Sequence, residues 1–111
     1  MLYLLNAPIL TSYGYFLFEK ITVEEAKEII RNEREDIVSA VGHEATAKIM
    51  SSLLDYPVIA NRVAIIMEKG DKAIVFRLLE RLPEGKVLSE EELTQLPYEL
   101  GLLWKFKPYF L

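Results

Sequence analysis

The feature that most constrains this chain is the junction Val41-Gly42-His43-Glu44-Ala45-Thr46, where an apolar run from Ile37 to Val41 stops at a glycine and a helix-period pattern begins. Ile49, Met50, Leu53 and Leu54 then recur on one helical face. A strand that hands over to a helix this abruptly belongs to a layered arrangement of sheet and helix. Gly42 is expected to supply the freedom for a sharp turn, and the helix to begin at or near His43. His43 is the only histidine in the chain. Histidine is the side chain that ordinarily changes charge near neutral pH, and the free N–H groups of a helix start are a natural seat for phosphate. Taken alone, the position also reads as an ordinary helix end.

The same patterning extends in both directions. Leu2 to Leu5 reads as a short buried strand that stops at Asn6-Ala7-Pro8, and Tyr15 to Phe18 as a second strand, the two forming a hairpin with a wide tip. Thr22-Val23-Glu24-Glu25 is a capping box, which predicts a helix from Val23 with Val23, Ala26, Ile29 and Ile30 on its inner face. The charged run Asn32 to Asp36 is a solvated connector. Pro57 predicts a helix end near Asp55. Val63 to Met67, the most apolar stretch, is expected as a central strand, turning at Lys69-Gly70-Asp71-Lys72 into a strand from Ala73 to Glu80. Period-two alternation puts Arg77 and Arg81 on one face of that strand. Ser89-Glu90-Glu91-Glu92 is a second capping box for a short helix from Glu90 to about Gln95, and Leu102 to Phe106 closes the chain as a strand around Trp104. The order is ββαβαββαβ, an α+β (α/β sandwich) domain spanning residues 1–111, with helices flanking a mixed sheet.

Composition excludes several kinds of function. No cysteine is present, so disulfides, thiolate metal sites and cysteine nucleophiles are absent. The net charge of −4 argues against broad binding to duplex DNA while leaving room for a local basic pocket. The apolar opening Met1 to Leu5 lacks a basic flank and is too short for a membrane span, so a soluble, cytoplasmic protein is expected. There is no glycine-rich phosphate loop, no nucleophile elbow and no cluster at metal-ligand spacing, and neither metal nor cofactor is expected. A small polar set remains: Asn6, Thr11, Ser12, His43, Arg62, Arg77, Arg81 and Glu84. Each has an ordinary structural reading as a turn former, a snorkelling cation or a turn carboxylate.

In combination, four segments resemble a known family. Asn6-Ala7 after the first strand, Gly42-His43-Glu44-Ala45-Thr46, Asn61-Arg62-Val63 and Glu80-Arg81-Leu82-Pro83-Glu84-Gly85-Lys86 stand in the order found in the type III anti-CRISPR ring nucleases. These are small viral and bacterial proteins that destroy cyclic tetra-adenylate. The resemblance implies a homodimer binding the cyclic nucleotide across its two-fold axis, in the host cell cytoplasm if the source is viral. It implies His43, Arg81 and Glu84 as catalytic residues, and Asn6, Thr46 and Arg62 as ligand contacts. The chain has Ala45 and Arg77 where members often have serine and glutamine. Its loop after Asn6 leaves Thr11 and Ser12 both open for the role of a serine. The implied chemistry is metal-free attack of a ribose 2′-hydroxyl on the adjacent phosphorus, with His43 as general acid. A module that binds a nucleotide or nucleic acid without turnover is the other class of function compatible with these residues.

Overall fold

A computed structural model of the chain describes residues 1–33, 36–80, 89, 91–92 and 95–109. Five strands and two helices are present among them: β1 (Leu2–Leu5), β2 (Tyr15–Ile21), α1 (Val23–Asn32), β3 (Ile37–Ser39), α2 (Glu44–Leu54), β4 (Lys72–Leu78) and β5 (Tyr98–Phe106). The strands form one mixed sheet in the order β2-β5-β4-β1-β3. β1 is parallel to both β3 and β4, while β5 is antiparallel to β4 and β2. The α+β class expected from the sequence is the one observed.

Alternation along the strands separates two cores. Leu2, Leu4, Ile74, Phe76 and Leu100 point to one face, where Ala26 and Ile30 of α1 and Ala47, Met50 and Leu54 of α2 meet them. Leu5, Ala73, Val75 and Leu103 point to the other, where Phe16 of β2 and the irregular chain at Ile65 and Met67 pack against them. The capping box of α1 is closed in both directions: Glu25 N donates to Thr22 Oγ1 at 3.1 Å and Thr22 N to Glu25 Oε1 at 3.0 Å. The second box closes as well, Ser89 N donating to Glu92 Oε1 and Glu92 N to Ser89 Oγ, both at 3.2 Å. Among the described residues no helix is long and apolar enough to cross a membrane.

Three expectations are corrected. β1 and β2 are not a hairpin. Residues 6–14 carry the chain from interior β1 past β4 and β5 to the far edge, where β2 pairs with β5. Val63 to Met67 is not a strand, and β4 occupies the centre instead. Ile65 and Met67 lie over Ala73, Val75 and Leu103, while Val63 and Ile66 are 47% and 71% exposed. An apolar run has the same composition whether it is laddered or laid across a sheet face, and here it covers the second core. The turn at residues 68–71, closed by Asp71 N to Glu68 O at 2.9 Å, therefore leads into β4 from unpaired chain rather than from a strand. Gly42, finally, is not among the positive-φ glycines, which are Gly14 (145°) and Gly70 (95°). Smaller differences concern ends: β3 stops at Ser39 and β5 begins at Tyr98. Of the helix expected over residues 90–95, Glu91 and Glu92 are helical and Glu90, Leu93 and Thr94 lie outside the described residues.

Candidate functional site

Because β1, β3 and β4 are parallel, their carboxyl ends open on one edge of the sheet. β1 sits between the other two, so the chain departs to opposite sides of it. Such a switch point leaves a crevice beyond the strand ends where parallel sheets bind ligands. Asn6 follows the last residue of β1 there, half-buried, its side chain making no hydrogen bond to a described residue. Beside it, β3 continues through Ala40, whose N–H donates to Leu4 O at 2.9 Å, into Val41, Gly42 and His43.

His43 is the N-cap of α2, in extended conformation (φ −131°, ψ 122°), and its exposed imidazole makes no capping bond. The first intrahelical bond runs from Ala47 N to His43 O at 3.0 Å. The N–H groups of Glu44, Ala45 and Thr46 are thus left without intrahelical acceptors, at the positive end of the helix dipole. Thr46, on the first turn, is 5% exposed, and its hydroxyl has no hydrogen-bond partner among the described residues.

Arg62 reaches this helix start from a separate segment that runs along the outer edge of β3. Val41 and Ala60 form a parallel bridge, and Asn61 N donates to Val41 O at 2.8 Å. The Asn61 side chain donates to Ser39 O at 2.7 Å, while Ser39 Oγ donates to Ile59 O at 2.6 Å. With the backbone held on both sides, Arg62 Nε donates to Gly42 O at 3.0 Å. The guanidinium keeps its terminal nitrogens free of any described carboxylate. A Cβ at position 42 would stand 3.2 Å from Arg62 Cγ. Glycine at position 42 thus lets the Arg62 side chain lie close against the backbone, and it serves no left-handed turn.

Asn6, His43, Thr46 and Arg62 are accordingly gathered at the carboxyl edge. Three other sequence candidates are engaged elsewhere. Thr11 Oγ1 accepts from Met67 N at 2.9 Å and Ser12 Oγ donates to Met67 O at 2.9 Å. Both lie level with Lys105, which is in register with Asp71, about five residues or ~17 Å along the strand direction from Asn6. Arg77 leaves β4 on the face away from the helices, with Nη2 3.7 Å from Glu99 Oε2 and Phe18 and Lys20 nearby. Arg81 and Glu84 lie outside the described residues; β4 delivers the chain to this edge at Leu78. Reasoning from sequence passed over Ser39 and Asn61, which hold the Arg62 segment. A polar side chain next to each of two apolar runs was their only signal. It also passed over Lys105, a lysine inside an apolar strand.

Comparison with known proteins bears on the chain as a whole. The family model described as STIV B116-like matches residues 2–100. The chain belongs to the STIV B116-like family. The family's relatives of this chain include uncharacterized protein 26 of Sulfolobus islandicus filamentous virus, 44% identical over 107 residues, covering 92% of this chain and 89% of the relative. Uncharacterized protein ORF117 of Acidianus two-tailed virus is 39% identical over 104 residues, covering 90% and 89%. Among solved structures, B116 of Sulfolobus turreted icosahedral virus superposes with a TM-score of 0.75 at 26% identity, over 93% of this chain and 97% of that one. The chain is thus similar to proteins of archaeal viruses, and the B116-like fold is the mixed five-stranded sheet with two helices described above.

Proposed function

We propose that this STIV B116-like protein is a ring nuclease that binds cyclic tetra-adenylate across a homodimer and cleaves it to linear di-adenylate, switching off type III CRISPR signalling. The observation that carries this reading is the convergence of His43, Arg62 and the free N–H groups of α2 at one edge of the sheet. A histidine beside an arginine and three N–H groups without intrahelical acceptors is an arrangement for handling a phosphodiester. The helix start and Arg62 hold phosphate oxygens, while Asn6 and the Thr46 hydroxyl offer hydrogen bonds to ribose and base.

In the reaction, a ribose 2′-oxygen attacks the adjacent phosphorus as the phosphorus–O5′ bond breaks. The proton of the 2′-hydroxyl is lost to solvent or to Glu84, and His43 delivers a proton to the departing O5′. Arg81 meets the charge that develops on the equatorial oxygens. Each chain supplies one histidine. A two-fold dimer therefore presents His43 to two opposite phosphates of the ring, and two cuts give two di-adenylates ending in a 2′,3′-cyclic phosphate.

The test is incubation of the purified protein with cyclic oligoadenylates of several ring sizes, with products resolved by chromatography and mass spectrometry. Di-adenylate with a 2′,3′-cyclic phosphate, preceded by linear tetra-adenylate, is the expected result. Products with 5′-phosphate ends would refute the 2′-hydroxyl route. Saturable binding of the ring with no product would show a sequestering module in place of an enzyme.

A further inference from the structure

At the edge of the sheet opposite His43, where β2 begins and β5 ends, a cleft of about 480 Å³ opens between Tyr13, Tyr15 and Phe106 on its aromatic walls and Lys69, Lys105 and Lys107 on its basic ones. Its volume lies in the range of small-molecule sites. Gly14 (φ 145°) forms part of the lining, and a Cβ there would meet Lys105 Cε at 2.8 Å, so a side chain at this position would occupy the space. The Lys105 ammonium is turned inward onto Ser12 Oγ and Met67 O. Lys69 and Lys107 are exposed, with no ion pair to a described carboxylate. The nearby Asp71 carboxylate faces the amino terminus at 3.6 Å and accepts from Glu68 N. Tyr13 is fully exposed on its loop. The Tyr15 and Phe106 rings stand 6.2 Å apart, and Trp104 continues the row 5.0 Å from Phe106.

In a chain of net charge −4, two ammonium groups with no described carboxylate partner, flanking solvent-open rings, are a local exception. The chemistry that satisfies both walls at once is a planar heterocycle carrying a phosphate. The rings offer stacking, and the lysines charge-assisted bonds to oxygen. We propose that this cleft is a second nucleotide-binding site, in which a base lies against Tyr13 or the Tyr15–Phe106 pair and its phosphate is held by Lys69 and Lys107. The site is separate from the carboxyl edge and stands or falls independently of the ring-nuclease reading. Its occupant is either a free mononucleotide or the terminal nucleotide of a single strand.

Trp104 is the only tryptophan and reports on the row directly. The intact protein is titrated with adenosine 5′-monophosphate and with a 5′-phosphorylated oligothymidylate hexamer while Trp104 fluorescence and binding heat are followed. Saturable binding is expected, weakened about ten-fold or more by the double variant Lys69→Ala/Lys107→Ala and by Tyr13→Ala, and left unchanged by Arg62→Ala. All these side chains are exposed, and unchanged thermal melts confirm that folding is intact. Equal affinity for both probes assigns a free nucleotide. Tighter binding of the hexamer with a steeper salt dependence assigns a strand end. No saturable binding of either probe at millimolar concentration overturns the proposal, as does binding that falls with Arg62→Ala but not with the lysine pair.

Discussion

Lys105 is 8% exposed and has no carboxylate partner among the described residues, so the stability effect of replacing it separates two views of a buried cation. Its ammonium donates to Ser12 Oγ at 2.8 Å and to Met67 O at 3.2 Å, and lies 5.8 Å from the centroid of the Phe16 ring. Lys105→Met keeps the apolar stem and removes the charge. Met67 O still accepts from Ser12 Oγ at 2.9 Å, and that hydroxyl still donates, so no buried group is orphaned. Two charge-assisted bonds, each ~1.5–3 kcal/mol against an unmade partner, are lost, but the ammonium's desolvation cost of similar size goes with them. The net change is expected within about 1 kcal/mol of wild type. Ser12→Ala leaves the ammonium buried with one acceptor fewer and should cost about 2–3 kcal/mol, or roughly 10 °C in melting temperature for a domain of this size. Urea unfolding of the two variants under one buffer gives both numbers. A cost above ~3 kcal/mol for Lys105→Met together with less than ~1 kcal/mol for Ser12→Ala would refute this account and make the cation itself the source of stability.

Four further outcomes are expected. Thr22→Ala opens the α1 capping box and should cost ~1 kcal/mol in denaturant unfolding, since Glu25 N loses the Thr22 Oγ1 acceptor. Gly42→Ala should leave stability within about 1 kcal/mol, because exposed Arg62 can swing aside, yet weaken cyclic tetra-adenylate binding as measured by calorimetry, since the guanidinium loses its seat on Gly42. His43→Ala should lower cleavage ~10²–10⁴-fold with ring affinity nearly unchanged, and near wild-type turnover would remove the histidine from the mechanism. Cleavage should persist in excess chelator, since no three His, Asp or Glu side chains gather among the described residues; loss restored by one divalent ion would contradict this.

Local signals in the sequence carried the helices well and the sheet order poorly, and the reason is physical. A capping box is closed by residues three apart, so Thr22 and Glu25 specify the start of α1 with no help from the rest of the chain. The same holds for the amphipathic stripe of α2 and for the stop at Asp55, which adopts the left-handed conformation (φ 52°). Strand order depends on which partners are available far along the chain. Nothing between Leu5 and Tyr15 records that Phe106 is to become the partner of Tyr15, or that Lys72 is to lie beside Leu2. Val63 to Met67 misled for a related reason. Its composition reports that a surface is buried beneath it, not whether its own N–H groups are laddered. At the site, Asn6, His43 and Arg62 were legible as polar residues at the ends of apolar runs. Thr11 and Ser12 looked the same in sequence and serve another purpose.

That other purpose follows from the topology. With β1 between β3 and β4, α1 and α2 pack on one face of the sheet, and among the described residues the second face is covered in part by chain that has no regular structure of its own. Residues 59–67 do this through Ile65 and Met67, with residues 6–14 bonded to them at Thr11 and Ser12, and backbone polar groups laid across an apolar face need partners that a ladder would otherwise supply. Thr11, Ser12 and Lys105 provide them at Met67, where N–H and C=O are both bonded to side chains. Each covering segment carries a residue of the candidate site, Asn6 at the start of one and Arg62 near the start of the other, and the two are tied to each other at their far ends by these bonds. Hydroxyls in the first loop are thus occupied in fastening one strap to the other. The polar groups left without described partners, Asn6 and Thr46, stand at the opposite edge, beside the helix start where a phosphate is best received.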